Sequence, residues 1–151
     1  MQKEMIVRNA TTINAGCAKV WDTLTNPEQT KKYMFGCETV SDWKIGSPLL
    51  WKGVWDGKEM VAVKGNIVDI EPGKFLAYTT FDPNNTAIAD IPANYLTVTY
   101  LLTESGDQTD LMVTQGDYTK VADGEKRYAD AVNAGGWESI LSEIKKVAEA
   151  K

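Results

Sequence analysis

The segment from Asp123 to Glu149 constrains the fold more than any other stretch. Tyr128, Val132, Trp137, Ile140, Leu141, Ile144, Val147 and Ala148 recur at helical spacing. Glu138, Glu143, Lys145, Lys146 and Glu149 lie mainly off that stripe. A long helix with a single apolar stripe has to bury it against something large. Asp123 is placed to cap such a helix. Gly135-Gly136 falls in its middle, where two glycines cost about 2 kcal/mol of helix propensity. They should either let another backbone approach closely or leave a gap beside the helix.

The partner is found upstream. Residues 3–13 alternate loosely and are rich in Ile, Val and Thr, which suits a first strand. Cys17, Val20, Trp21 and Leu24 then repeat at helical spacing behind Asn14 as a plausible N-cap. Asn26, Pro27 and Gln29 form a second helix start, ending near Gly36. From Cys37 to Tyr118 the pattern is strands and turns. Strands are expected at 49–55, 60–70, 75–81, 95–103 and 111–118. Asp56-Gly57 is the strongest hairpin signal among their connections. The count is six to seven antiparallel strands. The chain thus reads as one α+β domain over 1–151: a strand, two short helices, a curved antiparallel sheet and a long C-terminal helix. A twisted sheet curls, and a straight helix does not fill its concave face. Bulky side chains, water or a ligand must occupy the remainder.

Composition narrows the chemistry. The chain has no histidine and five tryptophans. That excludes Ser-His-Asp and Cys-His catalysis and any histidine-containing metal site. A net charge of −5 argues against nucleic acid as a partner. No apolar run approaches the roughly 20 residues that span a membrane. Cys17 and Cys37, without an export signal, read as reduced thiols in a cytoplasmic protein. No metal site, cofactor site or catalytic carboxylate pair emerges. Asp82, Asp90, Asp107 and Asp110 all have turn chemistry to explain them.

Four segments carry a family resemblance. Val20-Trp21-Asp22-Thr23-Leu24-Thr25-Asn26-Pro27-Glu28 resembles a helix-turn of the START-like (SRPBCC) superfamily, in the branch named after the activators of Hsp90 ATPase. Asp42-Trp43-Lys44-Ile45-Gly46-Ser47 resembles that branch's D-W-x-x-G-G turn, with Ser47 in place of the second glycine. Residues 65–72 resemble its G-x-V-x-E-I-x-P strand, with Asp69 where Glu is common. Residues 135–141 resemble its G-W-x-x-x-L helix start. The four stand in family order along the whole chain. The resemblance implies a helix-grip fold with a cavity under the C-terminal helix, and a small apolar or amphipathic ligand in it. A chaperone-regulator role on Hsp90 and a polyketide cyclase-like reaction are the alternatives it implies. The branch's eukaryotic activators carry an additional N-terminal domain that 151 residues do not accommodate.

The cavity-lining candidates are Tyr33, Phe35, Trp43, Trp51, Trp55, Tyr78, Tyr128 and Val132. Trp51, Gly53 and Trp55 share one strand face, either as core or as pocket wall. Tyr33, Phe35 and Trp43 belong where the short helices meet the pocket mouth. Tyr128 and Val132 are the helix-side candidates, and Trp137 is an anchor between helix and sheet. Lys64 depends on register. A plain two-residue turn sets it opposite Leu49, facing the pocket, whereas a bulge sends it to solvent. The 82–94 segment is either a surface connection or a lid.

Overall fold

The computed structural model describes residues 4–150. The elements are β1 (Val7–Ile13), α1 (Cys17–Thr25), α2 (Pro27–Tyr33), β2 (Glu38–Ser41), β3 (Pro48–Trp55), β4 (Lys58–Glu71) and β5 (Phe75–Thr80). They continue with β6 (Leu96–Ser105), β7 (Gln108–Gly116), α3 (Gly124–Asn133) and α4 (Glu138–Glu149). All seven strands form one antiparallel sheet in the order β1-β7-β6-β5-β4-β3-β2. β2 to β7 run as successive neighbours, and β1 returns to pair with β7. The architecture is the helix-grip fold: a curved sheet closing around helices on its concave side.

Local chemistry explains most of the turns. Asp56 and Gly57 both take positive φ, 54° and 76°, as a two-residue turn between twisted strands requires. Asn26 caps α2 by accepting from the Glu28 N–H at 3.0 Å, with Pro27 at the first helical position. Gln29 does not complete a capping box; its side chain takes the Lys32 ammonium instead. Asn14 is not the cap of α1, whose N-cap is Gly16. The Asn14 backbone N–H donates to Glu149 at the far end of the chain. β2 is a strand that periodicity did not separate from its surroundings, since four residues are too short to show a period.

The expected single C-terminal helix is two helices. Gly135 and Gly136 adopt φ of 89° and 61°, left-handed values that end α3. Their N–H groups return to the carbonyls of Val132 and Ala131 at 3.0 and 2.8 Å. Asn9 of β1 holds the break from below. Its carbonyl oxygen accepts the Trp137 N–H at 2.9 Å, and its amide donates to the Gly135 carbonyl at 3.4 Å. A Cβ on Gly136 would lie 2.5 Å from the Asn9 side chain and 2.8 Å from Val7, so close approach to β1 demands glycine there. Asp123 precedes α3, but its side chain makes no capping bond.

Between Trp51 and Lys52 the β3–β4 register shifts by a bulge. Gly53 pairs with Met60 and Lys52 with Val61, but Trp51 pairs with Val63 and Leu50 with Lys64. Lys64 therefore lies opposite Leu50, on the face away from Trp51. There it pairs with Asp90, and its ammonium stands 6.0 Å from the Phe81 ring centroid.

Candidate ligand cavity

The concave face holds a cavity of about 320 Å³. Its sheet-side floor is a row across three strands: Val7 on β1, Gln115 on β7 and Val98 on β6, paired in register. Tyr78 and Thr80 of β5 and Trp51 of β3 extend the floor, and the bulge brings in both Ala62 and Val63. The helical side is Ala131, Gly136, Trp137 and Ile140. Met34, Phe35 and Cys37, just after α2, complete the lining. Phe35 is 79% exposed with φ 54°, so its ring stands at the rim rather than inside.

The structure thus brings three of the eight candidates, Phe35, Trp51 and Tyr78, to the cavity wall. Tyr33 is buried next to the cavity but does not line it. The other four are elsewhere. Trp43 is half-buried against the core, its backbone N–H donating to Ser41. Trp55 shares the Trp51 face as expected, but folds back over Gly53 at the end of the hairpin. Tyr128 packs on Tyr118, with centroids 5.8 Å apart. Val132 is 50% exposed. Tyr128 and Val132 miss because the Gly135-Gly136 break re-phases α3, which presents Ala131 to the cavity instead. The 82–94 segment contributes no lining residue. Asn84 ties it to the Val61 carbonyl, and Asn94 accepts from the Ala122 N–H, which is the behaviour of a surface connection.

Sequence reasoning missed Gln115, Met34, Cys37 and Ala131 as wall residues. For Gln115 a signal exists: it is in phase with Leu111 and Val113 on β7, a polar residue on an apolar strand face.

The polar chemistry of the site is confined to neutral groups. Among the described residues the lining contains no carboxylate, ammonium or guanidinium. The Tyr78 and Tyr100 hydroxyls meet at 3.1 Å, and burial raises both phenols, Tyr78 well above the ordinary range. The fully enclosed Tyr33 hydroxyl has no partner among the described residues, and burial also pushes its pKa well up. All three are fixed as neutral phenols. Burial raises the Cys37 thiol too, which disfavours a reactive thiolate. Cys17 and Cys37 are both free. Trp137 crosses Tyr100 edge-on at 6.0 Å and donates its indole N–H to the Gln115 carbonyl oxygen at 3.0 Å, anchoring the start of α4 to the sheet. Among the described residues no three carboxylates or thiols converge to hold a metal ion, and no helix is long and apolar enough to cross a membrane.

Comparison with known proteins agrees with this fold. A protein of Cytophaga hutchinsonii, solved in solution, is 38% identical with a TM-score of 0.74, the match covering 99% of this chain and 97% of that one. The Aha1 dimer from Colwellia psychrerythraea shares the fold at 16% identity and a TM-score of 0.68, covering 95% and 96%. CalU16 from Micromonospora echinospora does so at 19% and 0.65, covering 95% of this chain and 65% of that one. The curated proteins include no match. The family described as "Activator of Hsp90 ATPase homolog 1-like protein" matches residues 14–149, and the chain belongs to that family.

Proposed function

We propose that this protein binds a small, uncharged, largely apolar molecule in the cavity between the sheet and the C-terminal helices, and holds it without chemistry. One observation carries the reading: a cavity of about 320 Å³ whose wall, among the described residues, is apolar and aromatic with no ionisable carboxylate or amine. That volume is at the lower end of sites for small organic ligands. A charged ligand would lose its hydration there with no counter-charge in return. Two free thiols suit a cytoplasmic setting. Native mass spectrometry of the protein purified from its own host tests the reading. The expected result is a bound neutral species that departs on denaturation, with quenching of Trp51 and Trp137 fluorescence when it is added back. A protein that carries nothing and takes up no neutral aromatic probe would defeat it.

The family description supports a second reading, regulation of an Hsp90-type chaperone. Stimulation of Hsp90 ATP turnover by this chain is the check, and an unchanged turnover removes it. A cyclase-like reaction on a polyketide-like substrate has less support, because phenols held protonated serve as donors rather than as bases.

A further inference from the structure

Gln115 stands in the middle of an otherwise apolar row, between Val7 and Val98. Its partner fixes its orientation. An indole N–H only donates, so the atom facing Trp137 has to be the amide oxygen. The amino group is then the free end, and among the described residues it has no partner. Nor is it among the fully enclosed side-chain atoms that lack one, where Tyr33 Oη stands. A side chain that lines the cavity thus keeps two N–H donors with nothing among the described residues to receive them. Anchoring Trp137 needs only the oxygen. The remaining donors have a use if the occupant brings an acceptor.

We infer that Gln115 reads an acceptor oxygen on the ligand, and that the cavity selects neutral, apolar molecules bearing a carbonyl group. A carbonyl accepts from the amide and introduces no hydrogen of its own. A hydroxyl would bring one that the apolar wall has few ways to satisfy. This inference rests on the ligand-binding reading and adds the substrate class to it.

The test uses two neutral probes of nearly the same shape, 2-acetylnaphthalene and 2-isopropylnaphthalene, titrated against the full chain at pH 8 by tryptophan fluorescence. The wild type should prefer the ketone by about fivefold to tenfold, the range of one net hydrogen bond. Gln115→Glu keeps an oxygen for the Trp137 N–H but replaces the donors with a carboxylate, so the preference should vanish or invert. Gln115→Met removes both roles. It should lose the preference and also lower the melting temperature, because the Trp137 N–H is left without its acceptor. A ketone preference that survives in Gln115→Glu, or a wild type that binds both probes equally, overturns the role of Gln115 and leaves the cavity reading standing. A wild type that binds neither probe removes the cavity reading, and this inference with it.

Discussion

The two C-terminal helices share one apolar stripe in the sequence and have opposite fates in the fold. α4 buries Leu141, Ile144 and Ala148 against β1, α1 and α2. Its last turn is tied down at two more points: Lys145 donates to the Thr12 carbonyl at 2.8 Å, and Glu149 accepts the Asn14 N–H at 2.7 Å. α3 buries only Gly124, and its ion pair, Lys126 with Asp130, stays within the helix. Its apolar residues divide among Tyr118 (against Tyr128), the cavity (Ala131) and solvent (Val132). The difference teaches that an apolar stripe is a demand for burial, and that a backbone break decides which part of it is met. α4 is the structural helix, and α3 is the wall of the cavity.

The sharpest way to break this comparison is to remove methyl groups from each helix. Ile144 has no exposed surface, so Ile144→Ala should cost about 2–5 kcal/mol of unfolding free energy. Val132→Ala, on the half-exposed face of α3, should stay within about 0.5 kcal/mol. Urea denaturation of both variants measures it. Equal losses would mean that α3 is packed as tightly as α4.

How much of this was legible in the sequence follows the same division. Local signals read correctly: Asn26-Pro27 starts α2, Asp56-Gly57 turns the hairpin, and Trp137 anchors α4. Gly136 serves the close approach to β1 that two adjacent glycines suggested. What was not legible depends on partners distant in the chain. The bulge beside Trp51 decides that Lys64 meets Asp90 rather than the cavity, and no pattern in β4 alone announces it. Asn14 looks like a cap, but α1 begins at Cys17 behind Gly16, and the Asn14 N–H goes instead to Glu149. One helical period continued through Gly135-Gly136 puts Tyr128 and Val132 at the cavity, but the break resets that period. Gln115 was visible as an anomaly of phase, but its meaning depends on an indole 22 residues away.

The break itself supplies the next test. Gly135 and Gly136 both hold left-handed φ, but their surroundings differ. A Cβ on Gly135 would meet nothing closer than the Glu138 carboxylate at 3.5 Å, so Gly135→Ala should cost only the conformational strain, about 1–2 kcal/mol. On Gly136 the same Cβ would press on Asn9 and Val7, and Val7 is part of the cavity floor. Gly136→Ala should add overpacking to the strain, for about 2–4 kcal/mol in all. It should also weaken probe binding, which Gly135→Ala should leave nearly unchanged. Thermal melts and the naphthyl ketone titration measure both, and two indistinguishable variants would show that the hinge, rather than its contact with β1, matters.

The smallest effect concerns the far end of α4. The Lys145 hydrogen bond and then the Asn14 backbone N–H hold the Glu149 carboxyl below its ordinary value of 4.5. A carboxylate depressed in the folded state contributes stability that is fully present above its unfolded pKa and is lost as pH falls through the folded value. The stability difference between wild type and Glu149→Gln should therefore be constant above about pH 5 and shrink below 4.5. The side chain keeps 29% of its surface in solvent, which screens the effect, and the difference should be modest even at neutral pH. Carbon-detected NMR titration of the Glu149 carboxyl gives the direct reading. A midpoint at or above 4.5 would mean that the chain end is not pinned to Asn14 in solution, and α4 would then resemble α3 in its last turn.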